Sequence, residues 1–230
     1  MPASIHLPFR PEVRIVHSSR RDGDFHPLAF ASLSVRERLS PHPWTQLTED
    51  HGVDVRSVDV AGEHDGASGD ILLTNVDNAV LGMWVGDCAP VVLVGQRWVA
   101  GVHAGWRGLR DGVLDRAIEA MNDAGDDPCV AVVGAHIGPC CYEFGESDLT
   151  VMESRFGPKV RSIDSRGRAA LDVGACIRAG FATLKPAMFV IECGLCTGCR
   201  GDLFHSHRVR RETERHVLAV WMETVIGGSP

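Results

Sequence analysis

The sequence predicts a single-domain α+β protein built on mixed β-sheets, and three observations support this fold class. The chain has 230 residues, of which 44% are hydrophobic and 23% charged, the composition of an ordinary globular protein with a substantial core. No linker rich in proline, glycine or serine divides it. Several strand patterns follow one another directly between a few helical patterns, which favours α+β layering over a regular alternation of strands and helices.

Short apolar runs rich in β-branched residues supply the strands. The segment 53–60 alternates apolar and polar residues, as a half-exposed strand does. The apolar runs that follow it are too short for buried helices and are predicted as central strands. In chain order, the predicted strands cover residues 13–17, 53–60, 71–74, 79–85, 90–95, 98–103, 129–134, 188–193 and 217–222.

Three helices are predicted. The clearest spans residues 109–124, where apolar side chains share one face and charged ones the other, and Gly125 takes the C-terminal cap position. A second helix begins with Ser147 as its N-cap, because serine commonly caps helix N-termini. A third covers residues 172–184 and ends before Pro186.

The charge balance argues against several classes of partner. With 23 basic and 30 acidic side chains the formal net charge is −7, whereas general binding to nucleic acids or to anionic membranes requires basic excess. No apolar run approaches the roughly 20 residues that span a bilayer, and no secretory signal is visible at the N-terminus. We therefore expect a cytoplasmic protein whose eight cysteines are reduced thiols, with no partner protein implied.

Cys88 and His103 are the first candidates for chemistry. Cys88 precedes one predicted strand and His103 ends the next, so a hairpin can bring the two side chains together. The pair suits a Cys–His nucleophile or two ligands of a zinc site. A buried cysteine and a hydrogen-bonded rim histidine explain the spacing equally well, so the spacing alone leaves these alternatives open.

A glycine-bounded loop follows His103 and leads into the clearest helix. Its glycines, Gly105 and Gly108, allow the backbone to approach a ligand closely, and the helix N-terminus offers free N–H groups to an anion. Arg107 offers a guanidinium fork for phosphate. The alternative is a tight strand-to-helix turn with a solvated arginine.

Two cysteine-rich segments lie in the second half of the chain. The adjacent Cys140 and Cys141 are expected to point in different directions, as packing thiols of a turn. The second segment has CxxCxxC spacing with histidines a few residues on, which fits either a Cys3His zinc knuckle or a reduced, partly buried turn. Its candidate ligands are Cys193, Cys196, Cys199, His205 and His207.

Taken in order, several segments resemble the YfiH family, whose members have been described as laccase-domain or polyphenol oxidase proteins and are linked to purine nucleoside metabolism. The resemblance spans nearly the whole chain. Its strongest signal is the presence of VHAGWRG and GPCCYE in this order. Other segments that resemble family motifs are HSSRRDG, DHG, GDILLT, GDCAP and CTGCRGDLFHSHR.

The resemblance implies a layered α/β/β/α fold with mixed β-sheets, also described as CNF-toxin-like, and one zinc ion held by two histidines and a cysteine. On the matching positions these ligands are His51, Cys88 and His103. Three protein ligands leave a fourth position for water, the pattern of a catalytic zinc. The implied activities are phosphorolysis of adenosine, inosine, guanosine or methylthioadenosine to the base and (methylthio)ribose-1-phosphate, and deamination of adenosine.

The resemblance also implies roles for charged side chains near these ligands. Arg20, Arg107 and Arg208 match cationic positions suited to contacts with phosphate or ribose. Asp87, beside Cys88, is suited to orienting a histidine or moving a proton. The implied partners are thus small molecules, a nucleoside and phosphate.

The chain departs from the family pattern at several positions. Glu49 and Asp50 replace the usual glutamine and valine, Gly86 replaces an alanine, and the HSHR segment replaces Phe-Ser-Tyr-Arg. The ligand positions are unchanged, so these departures bear on the shape of the purine pocket. Within HSHR, His205 and His207 are also candidates for a second metal site.

Three other functions fit parts of the sequence. The family's older description suggests a copper-dependent polyphenol oxidase of the laccase type, although the eleven histidines are scattered rather than grouped in paired motifs. A metal-free hydrolase would use Cys88 as its nucleophile with a histidine base. A non-enzymatic zinc-knuckle module would be centred on Cys193, Cys196 and Cys199.

Overall fold

The computed structural model describes residues 2–224, which form thirteen strands and six α-helices. The strands are β1 (Ala3–Ile5), β2 (Val13–His17), β3 (Trp44–Thr45), β4 (Val55–Ser57), β5 (Ile71–Thr74), β6 (Val80–Val85), β7 (Ala89–Val94), β8 (Val99–Ala104), β9 (Val130–Val133), β10 (Arg161–Ile163), β11 (Ala169–Leu171), β12 (Phe189–Glu192) and β13 (His216–Met222). The helices are α1 (Ser32–Leu39), α2 (Trp106–Asp111), α3 (Val113–Asp123), α4 (Glu146–Phe156), α5 (Val173–Leu184) and α6 (His207–Arg210).

Two mixed sheets form the centre of the molecule. The larger has six strands in the order β12-β9-β7-β8-β5-β4, with parallel pairs at both edges and antiparallel pairs between them. The smaller has five strands in the order β1-β2-β13-β6-β3, antiparallel except for its last pair. Strands β10 and β11 form a separate hairpin.

Side chains on opposite faces of each strand enter different apolar clusters, and this alternation defines the layers. On β7, Val91 and Leu93 pack towards α3 and α5, whereas Val92 and Val94 pack between the two sheets. The outer face of the smaller sheet packs on the segment that contains α1. The result is an α/β/β/α arrangement, which confirms the predicted α+β class with mixed sheets.

The predicted strands are confirmed, with boundaries that shift by a residue or two for most of them. Residues 13–17 and 71–74 form strands over the predicted ranges, and the segment 53–60 forms a strand only at Val55–Ser57. The sequence analysis did not predict the short elements β1, β3, β10, β11, α1 and α6. Each is too short to show a clear hydrophobic period.

The helix predicted at 109–124 is wrong as a single element. Helix α2 begins earlier, at Trp106, and Gly112 separates it from α3 with a φ of 100°, a left-handed conformation that a continuous helix does not allow. The second predicted helix begins at Glu146 with Gly145, not Ser147, as its N-cap. The third is confirmed as α5, and the Asp172 carboxylate caps its start by accepting from the Ala175 N–H.

Across residues 2–224, the structure shows no helix with the length and apolar character needed to cross a membrane.

Candidate metal centre and its pocket

Three side chains from separate parts of the chain converge at one end of the larger sheet. His103 lies on β8, directly opposite Pro90 of β7, and Cys88 immediately precedes β7. His51 comes from the loop between β3 and β4, where it adopts a left-handed φ of 66°. The Cys88 Sγ lies 3.8 Å from the His51 Nε2, and the ligand atoms of all three residues lie within 4.8 Å of one another.

The buried carboxylate of Asp70 fixes both histidines. Its Oδ1 accepts from the His51 backbone N–H at 3.0 Å and from His103 Nδ1 at 2.7 Å, and its Oδ2 accepts from the Gly52 N–H at 2.7 Å. Because Nδ1 of His103 donates to Asp70, Nε2 is the nitrogen left for a ligand. The resemblance suggested Asp87 either for orienting a histidine or for moving a proton, and in the structure the carboxylate that orients His103 is that of Asp70.

The pKa values at this site follow from burial and mutual contact. Burial favours the uncharged form of Asp70, but its hydrogen bonds, led by the one with His103, act together with the charge of His103 to lower the pKa of Asp70 to about 2. Burial also raises the pKa of the Cys88 thiol, but the charge of His103 and contacts with both histidines lower it to about 6 overall. The thiolate form, which binds metals and acts as a nucleophile, is therefore favoured near neutral pH.

Glu49 adds a second buried carboxyl group. Its Oε2 lies 3.6 Å from the His103 Nε2, its Oε1 accepts from the Trp84 N–H at 3.1 Å, and its side chain is 5% exposed. Burial raises the pKa of Glu49 to about 8, against the lowering effect of His103. Glu49 is one of the departures from the family pattern, and the structure places it against a candidate ligand.

The loop after β8 approaches these residues closely because it begins with glycine. A Cβ at Gly105 would lie 2.8 Å from the His51 Cδ2 and 3.3 Å from the Cys88 Sγ. A side chain here would therefore displace the candidate ligands. Gly105 is also the N-cap of α2, so the same glycine determines where that helix begins.

The donor set of His51, Cys88 and His103 fits a zinc or copper ion. Two imidazoles and a thiolate suit either metal, and three protein ligands leave room for a further one. The hydrogen bond from His103 to Asp70 is the supporting contact that metal-bound histidines commonly make.

A cavity of about 360 Å³ opens next to these three residues. Aromatic rings and guanidinium groups form much of its wall. Arg107 lies over the Trp106 ring and Arg208 over the Tyr142 ring, each with its guanidinium carbon 4.6 Å from the ring centre. The lining residues are Glu49, His51, Trp84, Val85, Gly86, Asp87, Cys88, His103, Trp106, Arg107, Tyr142, His207, Arg208 and Arg215.

Two of the three predicted arginines line this cavity. Arg107 and Arg208 do, whereas Arg20 forms an ion pair with Glu212 and does not line it. The predicted role of Arg20 at phosphate is thus not supported by its position. Arg215 lines the cavity instead, and the sequence analysis missed it.

Asp87 lines the cavity with its carboxylate held in place. Its Oδ1 accepts from the Thr197 hydroxyl at 2.7 Å and its Oδ2 accepts from the Arg208 backbone N–H at 2.6 Å. Burial raises the pKa of Asp87 despite these hydrogen bonds. Its backbone has a φ of 143°, which is unusual for a residue with a side chain.

The predicted zinc knuckle is wrong in its ligand set. Cys196 and Cys199 lie together with Cys140 and Cys141. The thiols of Cys140 and Cys141 were expected to point in different directions, but both face this group. The remaining predicted ligands lie elsewhere: Cys193 is exposed, His205 is buried and His207 lines the cavity.

Asp70 and Glu49 carried weak signals in the sequence. Asp70 is an acidic residue directly before the fully apolar strand β5, an arrangement that suggests a buried partner. Glu49 lies two residues before His51. The position of Arg215 depends on the pairing of β13 with β6, which the sequence does not indicate.

Comparison with known proteins relates this site to others. The family model described as multi-copper polyphenol oxidoreductase laccase matches residues 30–223. A protein of Xylella fastidiosa (strain Temecula1) named purine nucleoside phosphorylase is 33% identical over 196 residues, which cover 79% of this chain and 72% of that protein. A protein from an unknown prokaryotic organism named adenosine deaminase is 30% identical over 162 residues, or 66% of this chain and 62% of that protein.

A further relative matches over a shorter length. An Aquifex aeolicus protein named purine nucleoside phosphorylase is 41% identical over 78 residues, which cover 34% of this chain and only 38% of that protein. Two solved structures share the fold at low sequence identity. The Bacillus licheniformis protein YfiH has a TM-score of 0.83, 19% identity and 97% coverage of both chains. A Neisseria meningitidis protein has a TM-score of 0.82 and 21% identity, and the match covers 96% of this chain and 99% of that one.

Proposed function

We propose that the chain, which belongs to the family described as multi-copper polyphenol oxidoreductase laccase, is a zinc-dependent purine nucleoside phosphorylase that also deaminates adenosine. The observation that carries the proposal is the convergence of His51, Cys88 and His103 beside a cavity that Arg107 and Arg208 also line. The names of two relatives, a purine nucleoside phosphorylase and an adenosine deaminase, support the substrate class.

The cavity suits a nucleoside and phosphate as its small-molecule partners. Its volume of about 360 Å³ lies within the usual range for ligand pockets. The rings of Trp84, Trp106 and Tyr142 offer apolar surface to a purine, and the guanidinium groups of Arg107 and Arg208 offer paired N–H donors to phosphate. The arginines already lie over aromatic rings, so their positions are partly fixed before a ligand binds.

In phosphorolysis, a phosphate oxygen forms a bond to the anomeric carbon of ribose while the bond from that carbon to the purine nitrogen breaks. The electron pair of the broken bond goes to the base, which takes up a proton as it leaves. We assign this proton transfer to Asp87, whose pKa is raised by burial. Arg107 and Arg208 hold the attacking phosphate and offset its charge.

His51, Cys88 and His103 would hold the zinc ion. When bound, zinc supplies Lewis acidity, and for deamination it activates water for attack on the purine. Asp70, by accepting from His103 Nδ1, would keep Nε2 available to the ion. A cytoplasmic location would keep the Cys88 thiol reduced, as this role requires.

The test of the activity is an incubation with adenosine or inosine, with and without phosphate, followed by chromatography of the products. We expect free base and ribose-1-phosphate only when phosphate is present, and inosine from adenosine in both conditions. A preparation that yields none of these products would contradict the proposed function.

The family description also favours a second candidate, a copper-dependent polyphenol oxidase. Among residues 2–224, His51, Cys88 and His103 form the only group of three or more clustered candidate ligands that contains histidine. Three ligands are too few to hold the several copper ions of a multi-copper oxidase. Protein stripped of metal and reloaded with zinc or copper separates the two. Phenol oxidation by the copper form, with no nucleoside cleavage by the zinc form, would favour the oxidase.

The geometry of Cys88 also favours a metal-free hydrolase. Its lowered pKa and the 3.8 Å distance to His51 Nε2 suit a nucleophile with a neighbouring base. Full activity in the presence of a chelator, together with iodoacetamide labelling of Cys88 that abolishes it, would favour this mechanism. Zinc dependence requires the opposite result, activity that is lost with the metal and restored by zinc.

A further inference from the structure

Four cysteines outside the metal centre gather at one point. Cys140 and Cys141 belong to a short 3-10 turn after β9, and Cys196 and Cys199 to the loop after β12. Their sulfur atoms all lie within 4.8 Å of one another. The Cys199 Sγ lies 3.4 Å from that of Cys140 and 3.5 Å from that of Cys141. All four are free thiols.

These spacings match the ligand shell of one ion. A Zn–S distance of about 2.3 Å in a tetrahedral site places neighbouring sulfur atoms about 3.8 Å apart. The separations of 3.4 and 3.5 Å from the Cys199 Sγ are slightly shorter than this value, and no pair of the four sulfur atoms is more than 4.8 Å apart, so small side-chain rotations would complete the tetrahedron. An iron–sulfur cluster fits less well, because its four thiolates are divided between two or more iron atoms and cannot all lie within 4.8 Å of one another.

The backbone around the thiols is arranged for this close approach. The Gly138 N–H donates to the Cys196 Sγ at 3.1 Å, a contact that stabilises a thiolate. A Cβ at Gly198 would lie 2.7 Å from the Cys141 Cβ, so glycine is needed where the two loops meet. Cys196 and Cys199 also have the C-x2-C spacing common in zinc sites.

We propose that Cys140, Cys141, Cys196 and Cys199 bind a second Zn²⁺ ion, in a site separate from His51, Cys88 and His103. Four thiolate ligands leave no open position, so this ion is structural. It fastens two loops that are far apart in sequence and contain little regular structure of their own.

The site lies behind the wall of the cavity. Thr197, between two of the ligands, donates to Asp87, and Tyr142, which lines the cavity, directly follows Cys141. The bound ion would thus hold in place the two loops that carry these residues. Metal content, rather than enzymatic activity, reports on the ion independently of the proposed function.

The test is the zinc content of protein purified under reducing conditions without chelator, measured by elemental analysis. We expect two zinc ions per chain in the unmodified protein, one in Cys199→Ser, one in His51→Ala and none in the double variant. Cys193→Ser is the matched control, because Cys193 is exposed in the same segment and outside the group, and it should retain two. Equal zinc content in Cys199→Ser and Cys193→Ser would overturn the proposal.

A spectroscopic measurement covers the case in which Cys199→Ser does not fold. The His51→Ala variant, which keeps all eight cysteines, is stripped of metal and titrated with Co²⁺ alone. We expect one equivalent to bind with the intense thiolate-to-cobalt absorption of a tetrahedral site with four sulfur ligands. Cobalt binding without that absorption would overturn the proposal. So would a disulfide among the four cysteines that persists in protein purified under reducing conditions.

Discussion

Asp70 is the residue on which the geometry of the candidate metal centre depends. We expect Asp70→Asn to weaken metal binding by about 10-fold to 100-fold, because the amide replaces a charged acceptor shared by His51, Gly52 and His103. Competition with a chelator of known affinity measures the effect. Asp54→Asn, an exposed aspartate of the same region, is the control and should bind metal as the unmodified protein does. Equal affinities for the two variants would contradict this role.

Arg107 allows a test of phosphate binding at the same scale. We expect Arg107→Ala to raise the KM for phosphate by about 10-fold or more, because it removes a charge-assisted contact to the anion. Deamination of adenosine, which uses no phosphate, should change less. Arg110→Ala is the matched control, since Arg110 lies over the same Trp106 ring but pairs with Asp111 and does not line the cavity. Parallel losses in the two variants would show that the effect comes from Trp106.

At the scale of elements, the sequence predicted the central strands well, because β-branched runs with buried faces leave few other structures. It could not show the break between α2 and α3. The apolar residues of both helices follow a common helical period. This period shows which residues share a buried face, but it does not show whether they belong to one continuous helix or to two. The break at Gly112 lets α2 carry Arg107 to the cavity while α3 packs in the core.

The same break predicts a measurable cost of substitution. At a φ of 100°, Gly112→Ala should reduce the free energy of unfolding by about 1 to 2 kcal/mol, because a Cβ is disfavoured in this conformation. Urea denaturation measures the loss. Gly112→Asn provides the control, since asparagine adopts left-handed backbone conformations at a lower cost than alanine does, and it should lose less stability than Gly112→Ala. If both variants cost the same, strain at Gly112 is not the cause.

At the scale of the whole molecule, the proximity of Cys88 and His103 could be predicted from the sequence, because consecutive strands commonly form hairpins. The contribution of His51 came from the resemblance alone, since the loop histidine by itself carries no such signal. Asp70, Glu49 and Arg215 reach the site through long-range sheet pairing, as when β5 pairs with β8 to set Asp70 beside His103. Such pairings depend on the complete fold and leave little trace in local sequence.

The acid stability of the whole molecule should depend on His17, which is buried at the end of β2. Its Nδ1 donates to the Ser18 carbonyl oxygen at 2.8 Å and its Nε2 accepts from the Ala135 N–H at 2.9 Å, so only the neutral ring satisfies both contacts. Burial lowers the pKa of His17 to about 4 from its ordinary 6.5. Between these values the unfolded chain binds a proton that the folded chain does not. The stabilising contribution, up to about 3 kcal/mol, is therefore complete above pH 6.5 and is lost as the pH falls towards 4.

Urea denaturation from pH 7 to pH 4.5 should show a smaller loss of stability in His17→Gln than in the exposed-site control His6→Gln. Identical pH dependence in the two variants would assign the acid sensitivity to other groups.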